Sequence, residues 1–163
     1  MQNETVLMTS IFQVADYMGA IQFTAEEYLP KFKFEIDWTG RVLKFLGLAK
    51  EAARSDLGWK PTPRLMEVVA EKLVRPPAKS KIRVTDEDRN FLSSFFMRAT
   101  GDALESERSI DAFDFCCSVL AVLGLLKEGA HGEYKPTPRL RDLILGAYLR
   151  LPHLRLPPKA ARD

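Results

Sequence analysis

The hexapeptide Lys60-Pro61-Thr62-Pro63-Arg64-Leu65 returns letter for letter as Lys135-Pro136-Thr137-Pro138-Arg139-Leu140. An identity of six residues in a chain of 163 is hard to attribute to chance, so the sequence indicates an internal repeat. The Thr-Pro pair in each copy is typical of a helix start. There the threonine caps free backbone N–H groups, and a proline loses nothing by lacking one.

The repeat extends upstream of the hexapeptides. Leu43-Lys44-Phe45-Leu46-Gly47-Leu48 matches Leu120-Ala121-Val122-Leu123-Gly124-Leu125 at a spacing of 77 residues, whereas the hexapeptides lie 75 residues apart. The loop between the matched stretches is therefore two residues longer in the first copy. Asp37-Trp38 also falls opposite Asp114-Phe115. The sequence predicts two copies of one unit, the first over residues 1–78 and the second over residues 79–163.

Composition describes an ordinary globular chain. Hydrophobic residues make up 46% of the sequence, and the net charge of +2 is too small to indicate a nucleic-acid binder by itself. Units of this size are marginally stable alone, so we expect the two to pack on each other.

The sequence also favours a cytoplasmic protein. The only cysteines, Cys116 and Cys117, are neighbours inside an apolar run, which predicts buried reduced thiols. The N-terminus has no Lys or Arg before Lys31 and does not resemble a signal peptide. The longest uncharged run, residues 115–126, is too short to span a bilayer, so we expect no membrane partner.

Periodicity and cap residues predict the same order of elements in each unit. In the first unit, helices are predicted over about 9–21, 24–30 and 35–46, then a hairpin over 49–60 and a helix from Thr62-Pro63 to about 74. In the second unit, we predict a helix from the cap Thr85 to Gly101, a short helix over 102–107, a third helix over 110–123, a hairpin over 127–135 and a helix from 137 to about 150. A basic, proline-rich linker over 75–83 separates the units.

This order of helices, a Leu-Gly-Leu exit, a hairpin ending in an aromatic residue, and a Thr-Pro helix start resembles the winged helix-turn-helix superfamily. The residues that carry the resemblance best are Leu123–Glu128 and Tyr134–Pro138. It covers about 86–150 in the second unit and, more loosely, about 8–73 in the first. It implies a mainly α fold with small β-hairpins, a tandem winged-helix protein with a recognition helix and a wing in each unit. The superfamily serves both DNA binding and dimerisation, so fold alone does not decide function.

The outer face of each third helix separates these two functions. A helix that reads DNA bases needs Arg, Lys, Asn or Gln on that face, and the first unit offers Arg41 and Lys44. The second unit's third helix carries Asp111 and Asp114 near its start and is apolar almost all round. Such a helix is usually buried on more than one side, here against the other unit or a partner subunit. Its predicted interface residues are Phe113, Phe115, Cys117 and Ala121.

Other basic residues point to phosphate contacts. Lysines and arginines concentrate in the linker and in a basic, proline-containing C-terminal tail from about residue 150. The repeated hexapeptide also carries them beside a helix N-terminus, where phosphate binds well. The predicted nucleic-acid-binding residues are Arg41, Lys44, Lys60, Arg64, Lys79, Lys81, Arg83, Lys135 and Arg139. The alternative is that these are ordinary solvated charges beside a structural cap.

The sequence gives little support to an enzyme. His131 and His153 lack metal-ligand spacing to a cysteine, and no phosphate loop or nucleophile motif is present, so we expect no metal and no cofactor. The leading hypothesis is a DNA-binding protein of transcription-regulator type that binds mainly through phosphates. The alternative is a protein-interaction or dimerisation module, using the second unit's third helix. A small ligand between the units has no residue evidence.

Overall fold

A computed structural model describes residues 2–16, 32–53, 57–69 and 82–150. Over these residues the chain is mainly helical with two small antiparallel hairpins, which confirms the predicted fold class at that level. The helices are α1 (Gln2–Ala15), α2 (Lys33–Phe45), α3 (Pro63–Val68), α4 (Asp86–Thr100), α5 (Glu107–Val122) and α6 (Pro138–Arg150). The hairpins pair β1 (Ala49–Glu51) with β2 (Trp59–Pro61), and β3 (Leu126–Glu128) with β4 (Tyr134–Pro136).

The chain leaves α2 and α5 by the same turn. Gly47 and Gly124 have φ angles of 77° and 75°, a left-handed conformation that glycine adopts without a Cβ clash. The turn is closed by Leu48 N–H to the Leu43 carbonyl and by Leu125 N–H to the Leu120 carbonyl, both 2.8 Å. The repeat in the sequence is therefore also a repeat in backbone structure.

The two hexapeptides lie in matching surroundings. In each, the threonine oxygen accepts a backbone N–H in the first turn of the following helix, as the Thr-Pro pattern predicts. These bonds run from Leu65 N–H to Thr62 at 3.4 Å and from Leu140 N–H to Thr137 at 3.2 Å. The registers also correspond, since Ala49 pairs with Pro61 and Leu126 with Pro136. Each hexapeptide thus joins a hairpin to a helix start.

The first helix of each half packs against the third helix of the other half. Helix α1 lies on α5, α4 lies on α2, and α2 and α5 pack on each other at the centre. Phe12 stacks on Phe115 with ring centroids 5.9 Å apart, while Phe96 meets Trp38 edge-on at 5.3 Å. Because Trp38 and Phe115 are equivalent in the repeat, these two ring contacts are equivalent as well.

One hydrophobic core therefore spans both halves. Helix α1 contributes Met8, Ile11 and Phe12, with the same spacing as Leu92, Phe95 and Phe96 of α4. Of the sixteen residues of α5, twelve are buried, which matches its nearly continuous apolar sequence. The expectation that the two halves pack on each other is confirmed.

Several predicted boundaries need correction. Helix α1 starts at Gln2 rather than near Thr9, because an apolar stripe marks only the buried part of a helix and the first turn is polar. Residues 102–106 form no helix, so the predicted short helix there is wrong. Ser106 and Ser109 instead cap each other's backbone N–H groups and start α5 at Glu107.

Some expectations lie outside the described residues. They are the helix over 24–30, the boundary at residues 78 and 79, most of the linker, and the tail after 150. The fourth helix of the first unit was predicted to run to about 74, but it ends at Val68, with Val69 as its C-cap. The cap at Thr85 and the left-handed stop at Gly101 are confirmed for α4. None of the described helices is both long and apolar enough to cross a membrane.

A glycine in α2 makes room for the aromatic residue of the first hairpin. A Cβ on Gly40 would overlap the indole ring of Trp59, whose Nε1–H donates to Asp37 Oδ1 at 3.2 Å. In the second half the equivalent positions hold Cys117 and Tyr134, a larger helix residue with a smaller ring. The two side chains of each pair, one on the helix and one on the hairpin, therefore fill a similar total volume, as close packing requires.

Gly40→Ala should destabilise the fold, although alanine favours a helix by about 1 kcal/mol. The added methyl group must displace the Trp59 ring, and overpacking of this kind costs about 1–3 kcal/mol. Chemical denaturation measures the change in the free energy of unfolding. The control is Gly146→Ala in α6, where only the flexible end of Arg150 lies near, at 3.3 Å, and we expect unchanged or higher stability. An increase in stability for Gly40→Ala would contradict this packing.

Neither half should fold alone, because each first helix would lose the helix it covers. We expect residues 1–78 and residues 79–163, produced separately, to lack a cooperative thermal transition by circular dichroism. Mixing them in equal amounts should restore helix content and a transition. A cooperative transition in either isolated half would show that the exchanged contacts are dispensable.

Candidate nucleic-acid interface

Each hairpin places two lysines directly opposite each other. Lys50 pairs with Lys60 across the first hairpin, and Lys127 pairs with Lys135 across the second. Opposed residues of an antiparallel pair project from the same face, with Cβ atoms about 4.5–5.5 Å apart, and like charges there are destabilising. The same unfavourable pair occurs in both halves. A bound anion would offset the repulsion in each.

These lysines form no ion pairs with neighbouring carboxylates. Among the described residues, no carboxylate oxygen lies within ion-pair distance of any of the four. Glu51, next to Lys50, instead lies 3.6 Å from Lys44 Nζ on α2. In the second hairpin, Glu128 and Glu133 balance the two lysines in number but pair with neither.

Further cations flank the hairpins. Arg64 and Arg139 follow the prolines that begin α3 and α6, and both are exposed. The Arg83 carbonyl accepts the N–H of Tyr134 at 2.7 Å, and Val84 forms a parallel bridge to the same residue. This contact brings the exposed Arg83 beside the second hairpin. Lys79 and Lys81 lie outside the described residues.

Arg41 is engaged within the protein. Its Nη1 donates to the Thr100 carbonyl at 2.9 Å, and its Nη2 lies 3.5 Å from Asp102 Oδ2. The guanidinium thus stabilises the C-terminus of α4, where a cation is favoured by the helix dipole. Both predicted base-reading donors of α2 therefore have partners, since Lys44 faces Glu51.

The four predicted interface residues of α5 are buried inside this chain. Their exposed fractions are 1% for Phe113, 4% for Phe115, 1% for Cys117 and 0% for Ala121. Of the two settings expected for this helix, the other unit and a partner subunit, the chain itself supplies the first through α1 and α2. These residues therefore do not form an exposed interface, and the exposed side chains of α5 lie only in its first turns, between residues 107 and 111.

The buried titratable groups do not suggest catalysis. Burial raises the pKa of the Cys116 and Cys117 thiols well above the usual value, so both stay protonated and unreactive. Burial, together with Glu128, also raises the pKa of Tyr134, which keeps the second hairpin's aromatic residue neutral. Over the residues described, no group of three or more His, Cys, Asp or Glu side chains is placed to hold a metal.

Comparison with protein-family models, curated proteins and solved structures finds no match for this chain. The interpretation of its fold and site therefore rests on its own residues and their geometry.

Two residues of the interface were missed from the sequence. Lys50 and Lys127 are the strand partners of the hexapeptide lysines, but they lie outside the repeated hexapeptide. The signal that would have found them is the Leu-x-Lys-Glu run over 48–51 and 125–128, which has the same spacing of 77 residues as the helix exits.

Arg41→Ala should reduce stability by about 1–2 kcal/mol, because it removes a charged hydrogen bond that joins α2 to the end of α4. Urea denaturation provides the measurement. Lys44→Ala is the control, since its ion pair with Glu51 is largely exposed and should contribute less than about 0.5 kcal/mol. Equal effects of the two substitutions would contradict a structural role for Arg41.

Proposed function

We propose that this chain is a non-enzymatic tandem winged-helix protein that binds double-stranded DNA through phosphate contacts, as a module of transcription-regulator type. The observation that carries the proposal is the pair of opposed lysines in each of the two hairpins, none of which forms an ion pair with a described carboxylate. Phosphate oxygens would supply those ion pairs. The two hairpins, which correspond to the wings of a winged-helix protein, are the proposed DNA-binding elements.

The winged-helix assignment is supported by the order of elements in each half. A third helix leaves through a left-handed glycine, a short hairpin follows, and a threonine-capped helix comes next. The second half differs from that family's pattern, because a turn stands in place of the second helix. The order of elements is thus similar enough to that of the winged-helix family to identify the hairpins as wings. Because the second half differs from that pattern, we expect DNA to be bound in a different way.

Base recognition is not part of the proposal. Helices α2 and α5, which correspond to recognition helices, pack on each other in the centre of the protein. A buried helix cannot enter the major groove, where base edges are read. We therefore expect binding to duplex DNA with little dependence on sequence.

The proposed contacts come from the hairpins and their flanks. They are Lys50, Lys60, Arg64, Arg83, Lys127, Lys135 and Arg139. Each phosphate that these residues neutralise adds about 0.9 to the slope of log affinity against log salt. Arg41 and Lys44 are not included, because each already contacts groups within the protein.

The second candidate function is that of a protein-interaction module. Its proposed surface is not the one on α5 that the sequence predicted. Leu145 and Leu149 lie one turn apart on α6 and are 58% and 60% exposed. An apolar pair on an exposed helix face suits a protein contact better than a DNA contact. This candidate predicts a concentration-dependent assembly that Leu145→Asp abolishes.

Replacing the four hairpin lysines with alanine should lower the salt slope of duplex binding by about 2–4, since up to four phosphate contacts are lost. Fluorescence anisotropy with a mixed-sequence duplex of about 20 base pairs, across a salt series, measures the slope. The control replaces Lys33 and Lys44, whose charges are paired with Asp37 and Glu51. It should change the slope by less than half as much.

The proposal fails if the native protein does not bind duplex DNA at low salt. It also fails if the quadruple variant keeps the native slope. A scrambled duplex of equal length should bind equally well, because the third helices do not reach the bases.

A further inference from the structure

Two arginines from opposite halves of the chain converge on one glycine. Arg64 follows the proline at the start of α3, and Arg150 is the last residue of α6. Arg150 Nη2 and Arg64 Nη1 lie 3.1 and 3.7 Å from the position that a Cβ on Gly47 would occupy. Two guanidinium groups therefore meet over the left-handed turn that ends α2.

Glycines on two sides make room for the Arg150 guanidinium. A side chain at Gly47 would approach its Nη2, and a side chain at Gly146, one turn earlier in α6, would lie 3.3 Å from its Nη1. A glycine inside a helix is less favourable than an alanine, so Gly146 does not serve helix stability. The absence of a side chain at Gly47 and at Gly146 therefore leaves space for the guanidinium group of Arg150.

Over the described residues, this convergence is seen at Gly47. At Gly124, the equivalent glycine of the second half, no described atom lies within 4 Å of the position of an added Cβ. Arg75, which the repeat sets equivalent to Arg150, lies outside the described residues.

Within the part of the chain that the structure describes, the two cations have no counter-charge. Among the described residues, no carboxylate lies within ion-pair distance of Arg64 or Arg150. Like charges drawn to one place repel each other, and an anion between them removes that repulsion. The planar fork of arginine matches the oxygens of a phosphate group, to which it donates two parallel hydrogen bonds.

We propose that Arg64 and Arg150 form a phosphate clamp that links the two halves of the chain. The phosphate belongs either to the DNA backbone, in which case the clamp rests on the proposed function, or to a free phosphate compound. The ligand bridges α3 of the first half and α6 of the second. Binding therefore stabilises the folded protein in proportion to the logarithm of ligand concentration.

The test uses the full chain and inorganic pyrophosphate, with sodium sulfate at equal ionic strength as reference. Calorimetric titration and thermal unfolding measure binding. We expect the dissociation constant to rise at least tenfold in Arg64→Ala and in Arg150→Ala. The control is Arg141→Ala, whose guanidinium lies over Phe91 and near Asp88 and which is not among the proposed phosphate contacts. This control should keep the native affinity.

Two further variants separate the clamp from general loss of structure. Arg64→Lys keeps the charge but loses the planar fork, so it should fold normally and still bind at least fivefold more weakly. Gly146→Ala crowds the Arg150 guanidinium while favouring the helix, so it should weaken pyrophosphate binding without lowering the melting temperature. The clamp is disproved if pyrophosphate stabilises the protein no more than sulfate does, or if Arg141→Ala loses as much affinity as Arg64→Ala.

Duplex binding by the same variants identifies the source of the phosphate. If the ligand is the DNA backbone, pyrophosphate competes with DNA, and the double variant Arg64→Ala, Arg150→Ala lowers the salt slope by about 0.9. If the ligand is a free phosphate compound, arginine-dependent pyrophosphate binding remains and DNA binding is unchanged. Failure of DNA binding with intact pyrophosphate binding would reject the proposed function and leave the clamp standing.

Discussion

The structure depends on two equivalent ring contacts between its halves, Phe12 with Phe115 and Phe96 with Trp38. Each contact joins the first helix of one half to the third helix of the other. Halves of this size bury too little surface to be stable alone, and this exchange lets both draw on one core. Further rings continue that core, since Phe96 also contacts Phe113, and Phe95 contacts Phe45. The chain is thus a repeat in sequence and a single unit in packing.

This packing determines which surfaces are left for function. Helices α2 and α5, which would read bases in a winged-helix protein, pack on each other at the centre. The hairpins, with their opposed lysines, remain available on the surface. Repulsion between opposed lysines does not favour the stability of either hairpin, and the proposed phosphate contacts would offset it. The arginine pair over Gly47 follows the same logic, and it joins the two halves.

Local features were predictable from sequence because their causes are local. A threonine before a proline caps a helix, and a glycine after a leucine run turns it, so the caps at Thr62 and Thr137 and the exits at Gly47 and Gly124 were found. The exchange of first helices between the halves was not predicted from the sequence. Apolar periodicity shows that one face of a helix is buried, but it does not show which helix covers that face. For the same reason Arg41 was taken for a DNA contact, since its partner Thr100 lies 59 residues away. The repeated Leu-x-Lys-Glu run could have identified Lys50 and Lys127, but the strand register that sets them opposite Lys60 and Lys135 becomes visible only in the hairpin.

Native-state hydrogen exchange tests the shared core most directly. Backbone amides of α2 and α5 should be the slowest to exchange, and both helices should open with one common free energy that falls in parallel as denaturant is added. The same free energy should match that of global unfolding. If the amides of one helix open at a clearly lower free energy while those of the other stay protected, the halves are separate folding units and the exchanged ring contacts do not hold the protein together.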